Sequence, residues 1–238
     1  MARVNENLGV DVQSGSKRTD DAVIEIVSDV VCPWCFIGKR RLESALKLLR
    51  RPDAQLRWRA FELNPGLPKD GVERQEYRIR KFGSLAYARQ LEAHVGAAGT
   101  EQGITFRFDR IERIPNTFDA HRLIWLAGRH GVQDAVVERL FQAYFIEAQD
   151  VGKHDVLRRI GAESGLNSAS VARLLDSDSG ASEVLSEESH ARAQGVNGVP
   201  TFFMNGAPIT SGAHEPEVLA SLISTSLQQC SLEGGTCV

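Results

Sequence analysis

The sequence has no long apolar run, few cysteines, no excess of basic residues and no hydrophobic segment near its start. Each shortage excludes something. No stretch approaches the ~18 apolar residues of a membrane-spanning helix, so no membrane insertion is expected. Lys and Arg total 28 against 31 Asp and Glu, giving a formal charge of −3 and no pull toward nucleic acid or an anionic surface. Four cysteines in 238 residues are too few for a stapled secreted scaffold. Residues 1–21 mix both charge signs with small polar side chains and lack the apolar stretch of ~7–15 residues that a secretory signal needs. They read as a frayed extension, and the expected location is cytoplasmic. There is no glycine-rich phosphate motif and no internal repeat. His94, His130, His154, His190 and His214 show no ligand spacing, so no metal is expected. Nothing in the composition sets the oligomeric state.

What is present suffices for a sizeable core, since 42% of the residues are hydrophobic. Val23-Ile24-Glu25-Ile26-Val27 is a β-branched run of strand length. Cys32-Pro33 then opens a helix with proline at its first position, and Trp34, Ile37, Leu42, Ala45 and Leu49 supply an apolar face up to Arg50-Arg51-Pro52. Leu56 to Ala60 alternates with period two, so a βαβ unit with parallel pairing is expected. From about Glu73 to Gly195 the pattern reads as helical throughout. Its segments include Phe118–His130, a helix capped by Asp134, shorter ones started by Asp155 and Ser168, and a stretch over 181–194. Thr201 to Met204, the Asn205-Gly206 turn and Ala207 to Ser211 read as a hairpin, and Pro216 starts a last helix through Leu227.

The order βαβ, helical block, ββα implies an α/β chain: a four-stranded mixed sheet interrupted by an all-helical insertion. The expected units are an extension over 1–21, a discontinuous sheet domain over 22–72 and 196–228, a helical domain over 73–195, and a cysteine-bearing tail over 229–238.

The cysteines lie in two pairs, at 32 and 35 and at 230 and 237. Cys32-Pro33-Trp34-Cys35 falls at a strand-to-helix junction. Disulfide exchange needs a thiolate, and the orphan amides and positive end of a helix favour the anion there. The two-residue spacing lets the second thiol attack a mixed disulfide formed by the first. Cys32 is therefore the expected exposed nucleophile, and Cys35, one turn inside, the resolving thiol. A C-x-x-C pair is also half of a zinc site, but a position between strand and helix favours redox chemistry. Gly198-Val199-Pro200-Thr201-Phe202 is by itself a loop-to-strand boundary in which an X-Pro bond makes a cis peptide cheap.

Taken in order, VIEIVSD running into VVCPWCFIGKRRLE, NTFDAHRL at 116–123, GVPTFFMNG at 198–206 and SGAHEPE at 211–217 resemble the thioredoxin-like superfamily. The resemblance is to its DsbA branch, and within that to the FrnE-like dithiol oxidoreductases and isomerases, over about residues 22–228. It implies a thioredoxin-like fold with an inserted helical domain and Cys32 and Cys35 as the redox pair. Pro33 and Trp34 then form the active-site loop together with Val199, Pro200 and Thr201, Pro200 being the cis proline and Val199 free to pair with substrate backbone. Asn116, Thr117 and His121 match the insertion-domain signature, His121 as a packing or hydrogen-bonding residue. His214 falls in a loop expected near the same face.

One position departs from the pattern. Thioredoxins commonly carry a buried acid six residues before the first cysteine, where this chain has Ile26. The nearest acids are Glu25 and Asp29, and Glu25 is a candidate proton handler whose strand face the sequence leaves open. Cys230 and Cys237, separated by a flexible Gly234-Gly235, are a candidate auxiliary redox pair, a structural disulfide or two free thiols. Arg74, Arg78, Arg80, Lys81 and Arg89 read as a solvated helical face.

The expected activity is thiol–disulfide exchange with protein or peptide thiols. It needs no resident cofactor beyond the cysteine pair, with glutathione or a thioredoxin-type partner as recycling reductant. Three alternatives stand beside it. One is a glutathione-dependent isomerase or transferase like the 2-hydroxychromene-2-carboxylate isomerases and kappa-class transferases, which generally place a serine at the first site. The others are a redox-switched holdase and a zinc-binding module.

Overall fold

The computed structural model of the chain describes residues 23–232, with side chains through Gln229. Its sheet is built on β1 (Val23–Ser28), whose β-branched run places Ile24 and Ile26 in the main core and Val27 in a smaller cluster with Phe61 and Phe203. The helix α1 (Pro33–Leu48) follows, and β2 (Gln55–Ala60) returns parallel to β1 with Ile24 beside Leu56 and Ile26 beside Trp58. The other half of the sheet comes from the far end of the sequence. β5 (Thr201–Met204) runs antiparallel to β1, with Ile24 opposite Met204, and β6 (Ala207–Ser211) pairs with β5. The spatial order is β2-β1-β5-β6, the four-stranded mixed sheet of a thioredoxin-like α/β fold. Asn205 and Gly206 both adopt positive φ (49° and 81°), the backbone that a two-residue hairpin of this kind requires.

Between the halves lie α2 (Arg74–Phe82), α3 (Leu85–Glu101), α4 (Phe118–Arg129), α5 (Gln133–Phe145), α6 (His154–Glu163), α7 (Ser168–Leu175) and α8 (Ala181–Ala193). The expected unbroken helical block is corrected here. β3 (Val72–Glu73) and β4 (Arg113–Ile114) form a small antiparallel ribbon, pairing Val72 with Ile114 and Glu73 with Arg113. Asp134 is not the cap of α5. That position is Val132, and the Asp134 carboxylate instead accepts the Trp58 indole N–H at 3.0 Å and pairs with Lys39 at 3.1 Å. Asn167, one residue before Ser168, caps α7 by accepting the amide of Ser170 at 3.1 Å.

The helices are joined to the sheet in two ways. Phe36 of α1 stacks on Phe141 of α5 with ring centroids 5.0 Å apart, an arrangement worth about 0.5–1.5 kcal/mol beyond the area it buries. Side chains of α5 and α8 also satisfy the open edge at β2 and just beyond it. Gln133 accepts the Trp58 amide at 2.8 Å, Glu187 accepts that of Ala60 at 3.0 Å, and Glu188 accepts that of Glu62. An edge that would otherwise offer a template to another chain is closed from within.

The last helix, α9 (Pro216–Leu232), runs further than the apolar pattern indicated. Cys230 therefore belongs to its final turn rather than to a tail beyond it. Cys237 lies outside the described residues, as does the 1–21 extension.

Candidate active site

The first turn of α1 makes the site. Cys32 is the cap residue, in extended backbone (φ −91°, ψ 111°), and Pro33 takes the first helical position. No acidic residue occupies that turn, so nothing there opposes the positive end of the helix. Both thiols are free and buried, Cys35 completely and Cys32 to 5% exposure. The expected exposure of Cys32 is thus corrected: its thiol is recessed. Cys32 is covered because its thiol donates to the carbonyl oxygen of Val199 at 3.5 Å, and the rest of its surface lines a cavity of about 350 Å³ toward α2 and α3.

The Val199–Pro200 peptide bond is cis. Its loop is fastened from several sides. Gly212 donates to the Pro200 carbonyl at 2.7 Å, and Thr201 Oγ1 lies 2.8 Å from the Gly198 carbonyl and 2.9 Å from Ser211 Oγ. Gly38, one turn past Cys35, makes the approach feasible. A Cβ at that position would lie 2.9 Å from Pro200 Cγ, so only glycine lets the proline ring rest against α1. His214 bonds the Ser211 carbonyl through Nε2 at 2.9 Å and is exposed, which makes it a support of the loop. The thiol of Cys35 is pushed well up by burial, then by its hydrogen bond to Cys32 and the negative charge of that neighbour; bonds with Ser28 and the Asp29 backbone act the other way. Trp34 packs against His94, with ring centroids 5.8 Å apart.

Glu25, the candidate proton handler, is engaged by a cation of the neighbouring strand. It is held by Arg59 of β2 at 2.7 Å, and Arg59 also binds Glu187 of α8 at 3.0 Å. The acid beside the cysteines is Asp29, fully buried, whose backbone carbonyl accepts the Cys32 amide at 3.0 Å. The Asp29 side chain takes the Leu63 amide at 2.7 Å and lies 3.5 Å from Nε2 of buried His121. His121 is held above its ordinary value because Asp29, with Glu62 and Glu188 behind it, outweighs its burial. Glu62, one side-chain oxygen of which has no hydrogen-bond partner, is pushed up to about 7, first by burial. Arg192 closes the group by donating to the Glu62 carbonyl at 3.1 Å. Asn116 and Thr117 set the start of α4 and so the position of His121: Asn116 bonds the Leu67 carbonyl and the Phe118 amide, each at 3.0 Å, and Thr117 is buried as the cap residue. Glu62, Glu188 and Arg192 escape sequence reasoning, because their partners come from segments more than 120 residues apart.

Arg74 and Arg78 are also corrected. Both are buried on α2, where they share Glu92 of α3, so their side is no solvated face. Among the described residues no cluster of three or more His, Cys, Asp or Glu has metal-holding geometry, and no helix is long and apolar enough to cross a membrane.

A cysteine pair at a helix start, faced by a cis proline in a thioredoxin-like sheet, defines the class of the DsbA-like oxidoreductases. The chain belongs to that family, since the model for the DSBA-like thioredoxin domain matches residues 23–224. A probable DsbA oxidoreductase from Streptomyces coelicolor is 31% identical, with a TM-score of 0.81 over 87% of this chain and 91% of that one. YwbO of Bacillus subtilis is 27% identical over 202 residues, covering 84% of this chain and 95% of its own length. The cytosolic disulfide reductase DsbM from Pseudomonas aeruginosa, solved with GSH, shares the fold at 18% identity, with a TM-score of 0.60 over 87% of this chain and 99% of that one.

Proposed function

We propose that this member of the family exchanges disulfides with cysteine thiols of proteins or peptides, as oxidoreductase and isomerase, with Cys32 as nucleophile and Cys35 as resolving thiol. In the reducing direction the Cys32 thiolate attacks a substrate disulfide, one substrate sulfur leaves as thiolate, and a mixed disulfide forms. Cys35 then loses its proton and attacks Cys32 Sγ, which frees the second substrate thiol and leaves a Cys32–Cys35 disulfide. The observation that carries the reading is the order of the two thiols, Cys32 at the helix cap against Val199 and Cys35 fully buried behind it.

The charges around Cys35 favour this sequence. While Cys32 carries negative charge, Cys35 is held protonated; once Cys32 is bound to substrate sulfur that charge is gone and Cys35 ionises more easily. The oxidised pair returns to the dithiol by exchange with glutathione or a thioredoxin-type dithiol. A cytoplasmic location, where the dithiol form is favoured, suits this cycle. Pro33 and Trp34 bring no charge to the loop, so the potential should lie below the about −120 mV of a strong DsbA oxidant. Cys230 and Cys237 would exchange with the active pair as an auxiliary couple.

A glutathione redox titration, with alkylation and location of oxidised cysteines by mass spectrometry, tests the reading. The expected result is a reversible Cys32–Cys35 disulfide with a potential of roughly −270 to −180 mV. Failure of the two to pair anywhere in that range would remove the proposal.

A further inference from the structure

The cavity beside Cys32 is built for more than access to a sulfur. Its volume of about 350 Å³ sits at the lower end of the ~300–1,000 Å³ common for small-ligand pockets. Trp34, Phe82, Leu91, Val95, Phe108 and Phe145 give it an apolar wall. Into that wall α2 sets Arg74, Arg78 and Lys81, four and three residues apart and so on one helical face, while Glu92 is the one carboxylate among the lining residues.

Two buried guanidiniums share one carboxylate, which leaves positive charge only partly compensated in a largely apolar setting, and the exposed Lys81 adds a third cation beside them. Glu92 is already shared by Arg74 and by Arg78 Nη2, the latter at 2.7 Å. Arg78 Nε is buried with no hydrogen-bond partner. Burial holds the Arg78 guanidinium below its ordinary value despite Glu92. Lys81, whose nitrogen donates to Tyr77 Oη at 2.7 Å, lies across the Tyr77 and Phe82 rings.

We propose that this cavity receives one half of a low-molecular-weight disulfide, an aromatic or branched aliphatic group bearing a carboxylate, with its sulfur delivered to Cys32. The inference rests on the disulfide-exchange reading and adds a second substrate class to it. The apolar body lies against Phe108 and Phe145, and the carboxylate meets Arg78 and Lys81. The Cys32 thiolate attacks the near sulfur, the S–S bond breaks and the outer half leaves as thiolate. Cys35, having given its proton to solvent, attacks Cys32 Sγ and expels the held half as a second thiolate. Two electrons pass from the cysteine pair to the substrate, which ends as two thiols.

The test is single-turnover oxidation of the prereduced full chain by three probes. Dithiobis(nitrobenzoate) has ring and carboxylate, dithiodipyridine has ring without charge, and dithiodiglycolate has carboxylate without ring. Each rate is divided by that of free N-acetylcysteine with the same probe. The expected result is a normalised rate at least about tenfold higher for the nitrobenzoate probe, saturating with its concentration. In Lys81→Gln and Arg78→Gln the ratio of the nitrobenzoate to the dipyridine rate should fall about tenfold. Lys81 is largely exposed, so its variant keeps the test open if Arg78→Gln folds poorly. Equal normalised rates for the three probes, or an unchanged ratio in Lys81→Gln, overturn the cavity proposal and leave disulfide exchange intact. A Cys32 that none of the probes oxidises overturns both.

Discussion

The thiol of Cys32 and the carbonyl oxygen of Val199 meet at 3.5 Å, joining the start of α1 to the loop before β5 across 167 residues of chain. The proposed nucleophile is therefore positioned by two separate parts of the sequence, and disturbing either one should be felt at the sulfur.

Gly38→Ala disturbs the loop side. Alanine in a helix interior gains about 1 kcal/mol over glycine, but the new Cβ would sit 2.9 Å from Pro200 Cγ, and overpacking of this kind costs about 1–3 kcal/mol. The urea midpoint should fall modestly or hold, while disulfide exchange by Cys32 slows because the Pro200 loop is pushed away. An unchanged exchange rate would show that the loop is not fixed by its contact with α1.

Cys32→Ala isolates the effect of Cys32 on Cys35. Removing its sulfur takes away the hydrogen bond and the charge interaction that help to raise Cys35, leaving burial. Thiolate absorbance against pH should show Cys35 ionising at lower pH than in the wild type, though still above an ordinary cysteine. No change would mean that burial alone keeps Cys35 protonated. Cys35→Ser should still form mixed disulfides and fail to resolve them.

Glu62 gives a pH dependence of stability. Its folded value of about 7 lies above the ordinary 4.5, so the native state binds this proton more tightly than the unfolded chain does. Stability from this group is highest below pH 4.5 and declines as pH rises toward 7. Facing it are His121 of α4, Glu188 and Arg192 of α8, and Asp29 from the loop before α1. Glu62→Gln removes the ionisation at nearly constant shape. Its urea midpoint should match wild type near pH 4.5 and exceed it at pH 8, by at most about 3 kcal/mol of stability. A difference that does not grow with pH would contradict this.

Asp29→Asn probes the other side of the same group. Asp29 is the first of the carboxylates that hold His121 up, so His121 should titrate lower in the variant when followed by proton NMR. Folded His121 with a raised value contributes stability below its ordinary 6.5, and that contribution fades as pH rises through the folded value. The stability gap between variant and wild type should accordingly be widest on the acid side. An unmoved His121 would assign its shift to Glu62 and Glu188.

Much of this was legible in the sequence because it is local. The β-branched run at Val23, the Cys32-Pro33 helix start and the Asn205-Gly206 hairpin each carry their own short-range signal, and their order implies the sheet. The parts that were not legible depend on distant partners. Glu187 and Glu188 resemble any solvated helical pair until β2 is laid beside them and its amides need acceptors. Arg74 and Arg78 look exposed until Glu92 of the next helix draws them inward. Whether Glu25 or Asp29 lies near the cysteines turns on which way side chains leave β1 and the following loop, and the partner that settles it for Glu25, Arg59, sits on the neighbouring strand.

The sheet order has a consequence for how the molecule is made. β5 must insert against β1, and the residues of the two strands are separated by some three quarters of the chain. At a synthesis rate of about 5–20 residues per second, the 167 residues between Cys32 and Val199 take about 8–33 s to emerge. Throughout that interval the nascent polypeptide presents its dithiol without the loop that later covers it. The newborn chain is then itself a substrate for whatever oxidants and chaperones surround the ribosome, before it can become a reagent toward others.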